Sequence, residues 1–156
     1  MGVRQCGDGS FGGTQIVDPA VIAETRTPHN LQRADARSRE LNPWTHFSTY
    51  GLGWGLSDYR GRLMVSHGGG LNGMISLVAL LPEEDLGVVV LTNFDTHGLT
   101  RSLVNHVLDA YLGGERVDWD ERYHGAIQGL LEGRKAAVTA REEARLKGTG
   151  PSLPLE

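Results

Sequence analysis

The pattern of apolar and polar positions changes character at Tyr50. From there to Thr92, short runs rich in β-branched and aromatic residues alternate with turn residues at intervals of about 8 to 12 positions, the mark of successive strands. This spacing predicts strands over residues 51–56, 62–66, 74–81 and 86–92, joined tightly at Tyr59-Arg60-Gly61 and Pro82-Glu83-Glu84-Asp85. Links that short imply antiparallel neighbours, because a parallel crossover needs a dozen or more residues. The third and fourth runs, Met74-Ile75-Ser76-Leu77-Val78-Ala79-Leu80-Leu81 and Leu86-Gly87-Val88-Val89-Val90-Leu91, are apolar on both faces and are expected to be central and covered.

A cover follows directly. Leu99, Leu103, Val104, Val107, Leu108, Tyr111 and Leu112 recur at helical spacing as one apolar stripe, which Gly113-Gly114 ends. A second helix is expected from Asp118 to about Lys147, with Asp120 and Glu121 favourably placed in its first turn. Its Gly125, Gly129 and Gly133 each cost about 1 kcal/mol relative to alanine, so the pattern reads as a bent, broken or marginal helix leading into a linker after Gly148. Upstream, residues 1–17 read as loop. Asp18-Pro19 is a good helix start for residues 20–25, Thr27-Pro28 stops it, and residues 28–47 read as irregular. The expected class is α+β: an antiparallel sheet of about four strands covered by a C-terminal helix. Residues 1–114 form the expected main unit, and residues 115–156 a helical segment and interdomain linker.

Composition narrows the function classes. The 156 residues allow one domain, and 22 glycines against 39% apolar residues point to a modest core with generous loops. A net charge of −4, with 13 arginines and two lysines scattered along the chain, gives no basis for nucleic-acid binding. Cys6 is the one cysteine, which excludes an internal disulfide and a cysteine-rich zinc site. No run reaches the ~20 apolar residues of a membrane span, and the N-terminus lacks the succession of a signal peptide; the compartment stays open.

Candidate chemistry centres on His67-Gly68-Gly69, just after the apolar Leu63-Met64-Val65. A histidine at the mouth of a strand, followed by glycines that let a ligand touch the backbone, suits one wall of a cleft, although a lone histidine at a strand end also serves as an ordinary polar residue. Gly7-Asp8-Gly9-Ser10-Phe11-Gly12 matches a dinucleotide fingerprint in spacing but has neither the preceding strand nor the following helix. His67-Gly68-Gly69-Gly70 matches the oxyanion motif of α/β-hydrolases, yet no G-x-S-x-G elbow exists for it to serve. The six histidines form no H-E-x-x-H pair, so neither a metal nor another cofactor is expected.

Four consecutive blocks carry a more specific signal: Tyr50-Gly51-Leu52-Gly53-Trp54; Val65-Ser66-His67-Gly68-Gly69; Asn72-Gly73-Met74-Ile75-Ser76; and the run from Leu81-Pro82-Glu83 through Val88-Val89-Val90-Leu91-Thr92-Asn93. In order, spacing and residue type they resemble the C-terminal portion of the serine β-lactamase-like hydrolases, which group class C β-lactamases with penicillin-binding-protein-like esterases and peptidases. Phe11-Gly12-Gly13-Thr14-Gln15-Ile16-Val17-Asp18 resembles the segment preceding that sheet. Gly148-Thr149-Gly150-Pro151-Ser152-Leu153-Pro154-Leu155 is similar to the linker that in some members leads to a small β-barrel-like domain.

The resemblance implies a partial β-lactamase-like transpeptidase fold and acyl-enzyme hydrolysis of an ester, amide or β-lactam. His67 would line the cleft and assist proton transfer or anchor the substrate, Gly68 and Gly69 would leave it room, and the Gly70 N–H would supply one of two oxyanion donors. Removing such a donor typically costs about 10²–10³ in rate. The sequence departs from the family where it matters most. Lys135 and Lys147 are preceded at three positions by Glu132 and Ala144, so there is no S-x-x-K, and no tyrosine opens a Tyr-x-Asn. The expectation is therefore a C-terminal fragment, inactive alone. Its partners would be the missing N-terminal part of the hydrolase domain and, in the parent protein, a small-molecule acyl substrate. The alternative is a non-catalytic interaction module or pseudoenzyme with a structural histidine.

Overall fold

The computed structural model describes residues 9–33, 36–94 and 98–146. Cys6 and the expected linker after Gly148 lie outside the described residues, as does the start of the Gly7-to-Gly12 match. In chain order the elements are a small hairpin, β1 (Ser10–Phe11) and β2 (Thr14–Gln15); α1 (Pro19–Thr25); β3 (Asn30–Leu31); α2 (Ala36–Leu41); β4 (Ser48–Tyr50); β5 (Gly55–Tyr59); β6 (Arg62–Leu71); β7 (Met74–Leu81); β8 (Leu86–Thr92); α3 (Leu99–Leu112); and α4 (Trp119–Leu146). Strands β3 to β8 form one sheet whose spatial order is the sequence order, antiparallel throughout.

The α+β class and the helix-covered antiparallel sheet agree with the sequence, and several details differ. The sheet has six strands, because β3 and β4 come from stretches without a strand pattern, and residues 28–47 also hold α2. The expected strand over residues 51–56 is a turn feeding β5, since Gly51, Leu52 and Gly53 leave the ladder and Gly53 takes φ +82. The Gly12-Gly13 pair, with φ +57 and +80, closes the β1–β2 hairpin inside the expected loop. Helix α4 runs unbroken for 28 residues: its three glycines face open space, and Ala126, Gln128, Leu130, Leu131 and Glu132 between them are good helix formers.

One face of the sheet carries the main core cluster, while Leu56 and Val65 are buried on the other. Tyr59, Met64, Leu77, Ala79 and Leu81 point toward α3 and α4, where Val104, Leu108, Trp119 and Tyr123 meet them, and Leu86, Val88 and Val90 extend the cluster onto β8. On the other face of β8 the expectation of full burial fails. Strand β8 is the edge of the sheet, and Val89 and Leu91 are 60% and 75% exposed there, beside half-exposed Met74 on β7. Local pattern reports that a strand is apolar on two faces, but only the tertiary structure says whether both faces have a neighbour.

Asp109 ties the turn after β5 to both long helices. Its carboxylate accepts from Arg60 twice (Nε 2.7 Å, Nη2 3.0 Å), from the Tyr59 hydroxyl at 2.7 Å and from Trp119 Nε1 at 2.8 Å. Arg60 also lies 4.1 Å from the Trp44 ring centroid, and it holds a left-handed conformation, φ +50, in the two-residue Arg60-Gly61 turn. Burial alone would raise the Asp109 carboxyl, but the hydrogen bonds from Arg60, Tyr59 and Trp119 outweigh it and hold the group below the usual carboxylate range. Burial and the neighbouring carboxylate push the Tyr59 hydroxyl far above its ordinary value, so it remains a donor.

Candidate active site

His67 sits in the middle of β6, opposite Val78 of β7. On the other side, the β5–β6 ladder starts at Gly55 opposite Ser66, and continuing that register by one residue sets Trp54 against His67. The rings meet edge-on, with centroids 6.3 Å apart and planes at 85°. The imidazole Nδ1 bonds to the Gly53 carbonyl, and the Tyr50 hydroxyl lies 3.4 Å from the same nitrogen. A carbonyl can only accept, so Nδ1 carries the proton in the neutral ring and Nε2 keeps its lone pair. The side chain is exposed. The geometry thus offers a fixed imidazole with an available proton acceptor, held from behind by a glycine turn and an aromatic wall.

The three glycines follow along β6, opposite Leu77, Ser76 and Ile75, and all three are exposed. Only Gly69 is sterically constrained within the chain. A Cβ there would come within 2.9 Å of Ser76 Oγ, whose hydroxyl donates to the Gly69 carbonyl at 3.4 Å, whereas Cβ atoms on Gly68 and Gly70 would meet nothing closer than 3.7 Å. The two positions on either side of Gly69 could accept a side chain without collision and nonetheless carry none. The strand is therefore bare beyond His67, and a ligand can lie against its backbone.

Sequence reasoning singled out His67 and the glycines but assigned no role to Tyr50, Gly53 and Trp54, which hold the imidazole. Their signal was present in the hairpin register, since a β5–β6 pairing that begins at Gly55 brings residues 53 and 54 beside residues 67 and 68. A second histidine pair lies elsewhere. His46 Nδ1 is 2.6 Å from Asp58 Oδ2, and the backbone N–H groups of His46 and Phe47 donate to Oδ1. Burial raises the Asp58 carboxyl, but these hydrogen bonds prevail and keep it below the ordinary range. This pair clamps the segment entering β4 onto β5. Among the described residues, no group of three or more His, Cys, Asp or Glu side chains converges as a metal site requires.

The model of a protein family described as Beta-lactamase matches residues 13–111, a span running from the β1–β2 turn almost to the end of α3 and including the whole His67 strand. The chain belongs to the beta-lactamase family. Two curated relatives of this beta-lactamase-family chain are hydrolases. Unguisins hydrolase ungD' of Aspergillus campestris is 30% identical over 101 residues, 62% of this chain and 19% of that protein. Unguisins hydrolase ungD of Aspergillus violaceofuscus is 33% identical over 116 residues, 68% of this chain and 20% of that protein. In fold, the chain is similar to the octameric penicillin-binding protein homologue from Pyrococcus abyssi, with a TM-score of 0.56 and 20% identity over 66% of this chain and 21% of that one. This beta-lactamase-family chain thus spans about a fifth of the length of the relatives it matches.

Proposed function

We propose that this chain forms the histidine-glycine wall of a serine hydrolase site, which acts by acyl transfer through an acyl-enzyme on an ester, amide or β-lactam. The reactive serine and lysine would come from polypeptide outside these 156 residues. The observation that carries this reading is the His67 arrangement: an exposed imidazole held through Nδ1, with Nε2 unengaged among the described residues, on a strand that continues as three exposed glycines. In that setting Nε2 takes a proton from, or returns one to, the reacting group, and the bare backbone leaves room for the acyl portion of the substrate. Membership of the beta-lactamase family and relatives described as hydrolases support the reaction class.

The exposed β8 edge fits the same reading. An uncharged seven-residue edge strand, with Val89 and Leu91 open on one face and without lysine or proline, is a surface that normally has a neighbour, here the remainder of the hydrolase domain. The isolated chain is accordingly expected to self-associate in a concentration-dependent way, and Leu91→Lys to reduce this, as sedimentation velocity would report. A monomer at every concentration would remove the support that β8 gives.

Hydrolysis tests the central claim. The purified chain is expected to turn over neither nitrocefin nor p-nitrophenyl acetate above the rate of its His67→Ala variant. Joined to an S-x-x-K-bearing portion of the family, it should give turnover that depends on His67. Stoichiometric acylation of the isolated chain by a fluorophosphonate or a penicillin would mean that it holds its own nucleophile.

A further inference from the structure

A cavity of about 430 Å³ opens on the helix-covered side of the sheet, between strands β4 to β6, α2 and the start of α3. Its lining is chemically lopsided. Three arginines line it, Arg33 after β3, Arg39 on α2 and Arg101 in the first turn of α3, while no acidic residue among the described residues does. Among the described residues none of the three forms an ion pair, although the chain as a whole carries more acidic than basic side chains. Three like charges gathered around one concave space repel one another and raise its potential, and an anion relieves both. The remaining wall is not polar throughout. Met64 and Tyr123, both buried, offer apolar and aromatic surface on the sheet and α4 sides.

From this pairing of unneutralised arginines with an apolar inner wall, we infer that the cavity is a binding site for a small organic anion, a carboxylate on an aromatic or similarly apolar body. The planar guanidinium forks recognise the carboxylate through paired N–H donors, and the Met64 and Tyr123 surface receives the body. The cavity meets the cleft wall at Tyr50, which lines it and whose hydroxyl lies 3.4 Å from His67 Nδ1, but the two face opposite sides of the sheet. By strand alternation Met64 and Ser66 face the helices, whereas His67 between Ser66 and Gly68 faces the opposite way. The inference rests on the arginines and the apolar wall and needs no part of the hydrolase reading.

The test is a titration of the isotopically labelled 156-residue chain with three probes, benzoate, its neutral counterpart benzyl alcohol, and inorganic phosphate, followed by NMR of the amide and arginine side-chain signals. Benzoate is expected to shift the signals of Arg39, Arg101 and Tyr123 saturably with a Kd of about 1 mM or tighter, and benzyl alcohol and phosphate to bind at least ~10-fold more weakly. The double variant R39Q/R101Q should lose at least ~10-fold in benzoate affinity, while R39K/R101K, which keeps the charge, loses less. Because these arginines are exposed or half-exposed and lack ion pairs, both variants should retain the parent amide spectrum. Equal binding of benzyl alcohol would overturn the role of charge, and equal binding of phosphate the role of the apolar wall. Unchanged benzoate affinity in R39Q/R101Q, or no saturable shift at all, would overturn the site itself.

Discussion

Asp109→Ala is expected to destabilise the chain by about 3–5 kcal/mol, the usual cost of removing one partner from a buried ion pair. The side chains involved are well shielded, with Asp109 8% and Arg60 16% exposed. Truncation strands Arg60 Nε and Trp119 Nε1 and leaves the Tyr59 hydroxyl and Arg60 Nη2 with only longer bonds, to the Asn105 carbonyl at 3.2 Å and the Glu115 carbonyl at 3.5 Å. It also releases the restraint on Arg60, whose left-handed backbone is otherwise unfavourable for a non-glycine residue. Asp109→Asn keeps the shape and part of the hydrogen bonding but leaves the Arg60 charge unopposed, so it should fall between wild type and alanine. Urea unfolding followed by tryptophan fluorescence measures the series. A loss below about 1 kcal/mol for the alanine variant would show that the cluster is energetically neutral, as many exposed ion pairs are.

The same carboxylate sets a pH dependence. Asp109 and Asp58 both have folded-state pKa values below their ordinary value. The unfolded chain therefore binds protons first, and stability rises with pH through the region where these groups ionise. Their contribution is fully present above the unfolded pKa of about 4 and is lost as the pH falls through the lower folded values. Asp109→Asn should flatten this acid limb without removing it, since Asp58 remains. An acid limb as steep as that of wild type would show that Asp109 is not a source of the dependence.

What was legible in the chain divides along physical lines. Strands β6 to β8 could be read because short apolar, β-branched runs stand between turn residues, and helix α3 because its apolar positions recur at the 3.6-residue period of the face it buries. Strand β4 and helix α2 could not, because Ser48, Thr49 and Tyr50 are too few to establish alternation and the six residues of α2 contain little apolar signal. The edge position of β8 is a property of the assembled sheet, and Val88, Val89 and Val90 look the same in a central strand. At the candidate site, His67 and its glycines were visible as composition at a strand end. The partners of the imidazole were not, because Gly53 and Trp54 reach it through hairpin register, a relation between two segments that neither contains. Asp109 shows the same limit. Its place among helical apolar positions says nothing of Arg60, 49 residues away.

Gly51→Ala should destabilise the fold by about 1–3 kcal/mol and displace His67 as well, the expected cost of adding a methyl group where packing allows none. Gly51 does not need its lack of a side chain for a positive φ; it needs it for space. An added Cβ would lie 2.3 Å from the carbonyl oxygen of Thr25 and 3.0 Å from that of Thr27, the first about 1 Å short of ordinary contact. Both obstacles are backbone at the end of α1, so no rotamer change relieves them. The Thr25 carbonyl is already engaged by the Leu52 N–H at 3.0 Å, and the turn is closed by the Gly51 N–H on the Trp54 carbonyl at 2.8 Å. Either α1 or the 51–54 turn must retreat, and that turn presents the Gly53 carbonyl that receives the His67 Nδ1 proton. In the parent chain, ¹⁵N spectra of the imidazole should show Nδ1 protonated and Nε2 bare at neutral ring charge. In Gly51→Ala the two tautomers should mix as the carbonyl withdraws. Gly53→Ala provides the contrast, since nothing lies within 4 Å of its added Cβ while its φ of +82 strains any side chain, so it disturbs the turn without pushing on α1. Unaltered His67 signals in Gly51→Ala, together with a clear loss of stability, would separate the packing of α1 from the orientation of the imidazole and leave Trp54 as its main support.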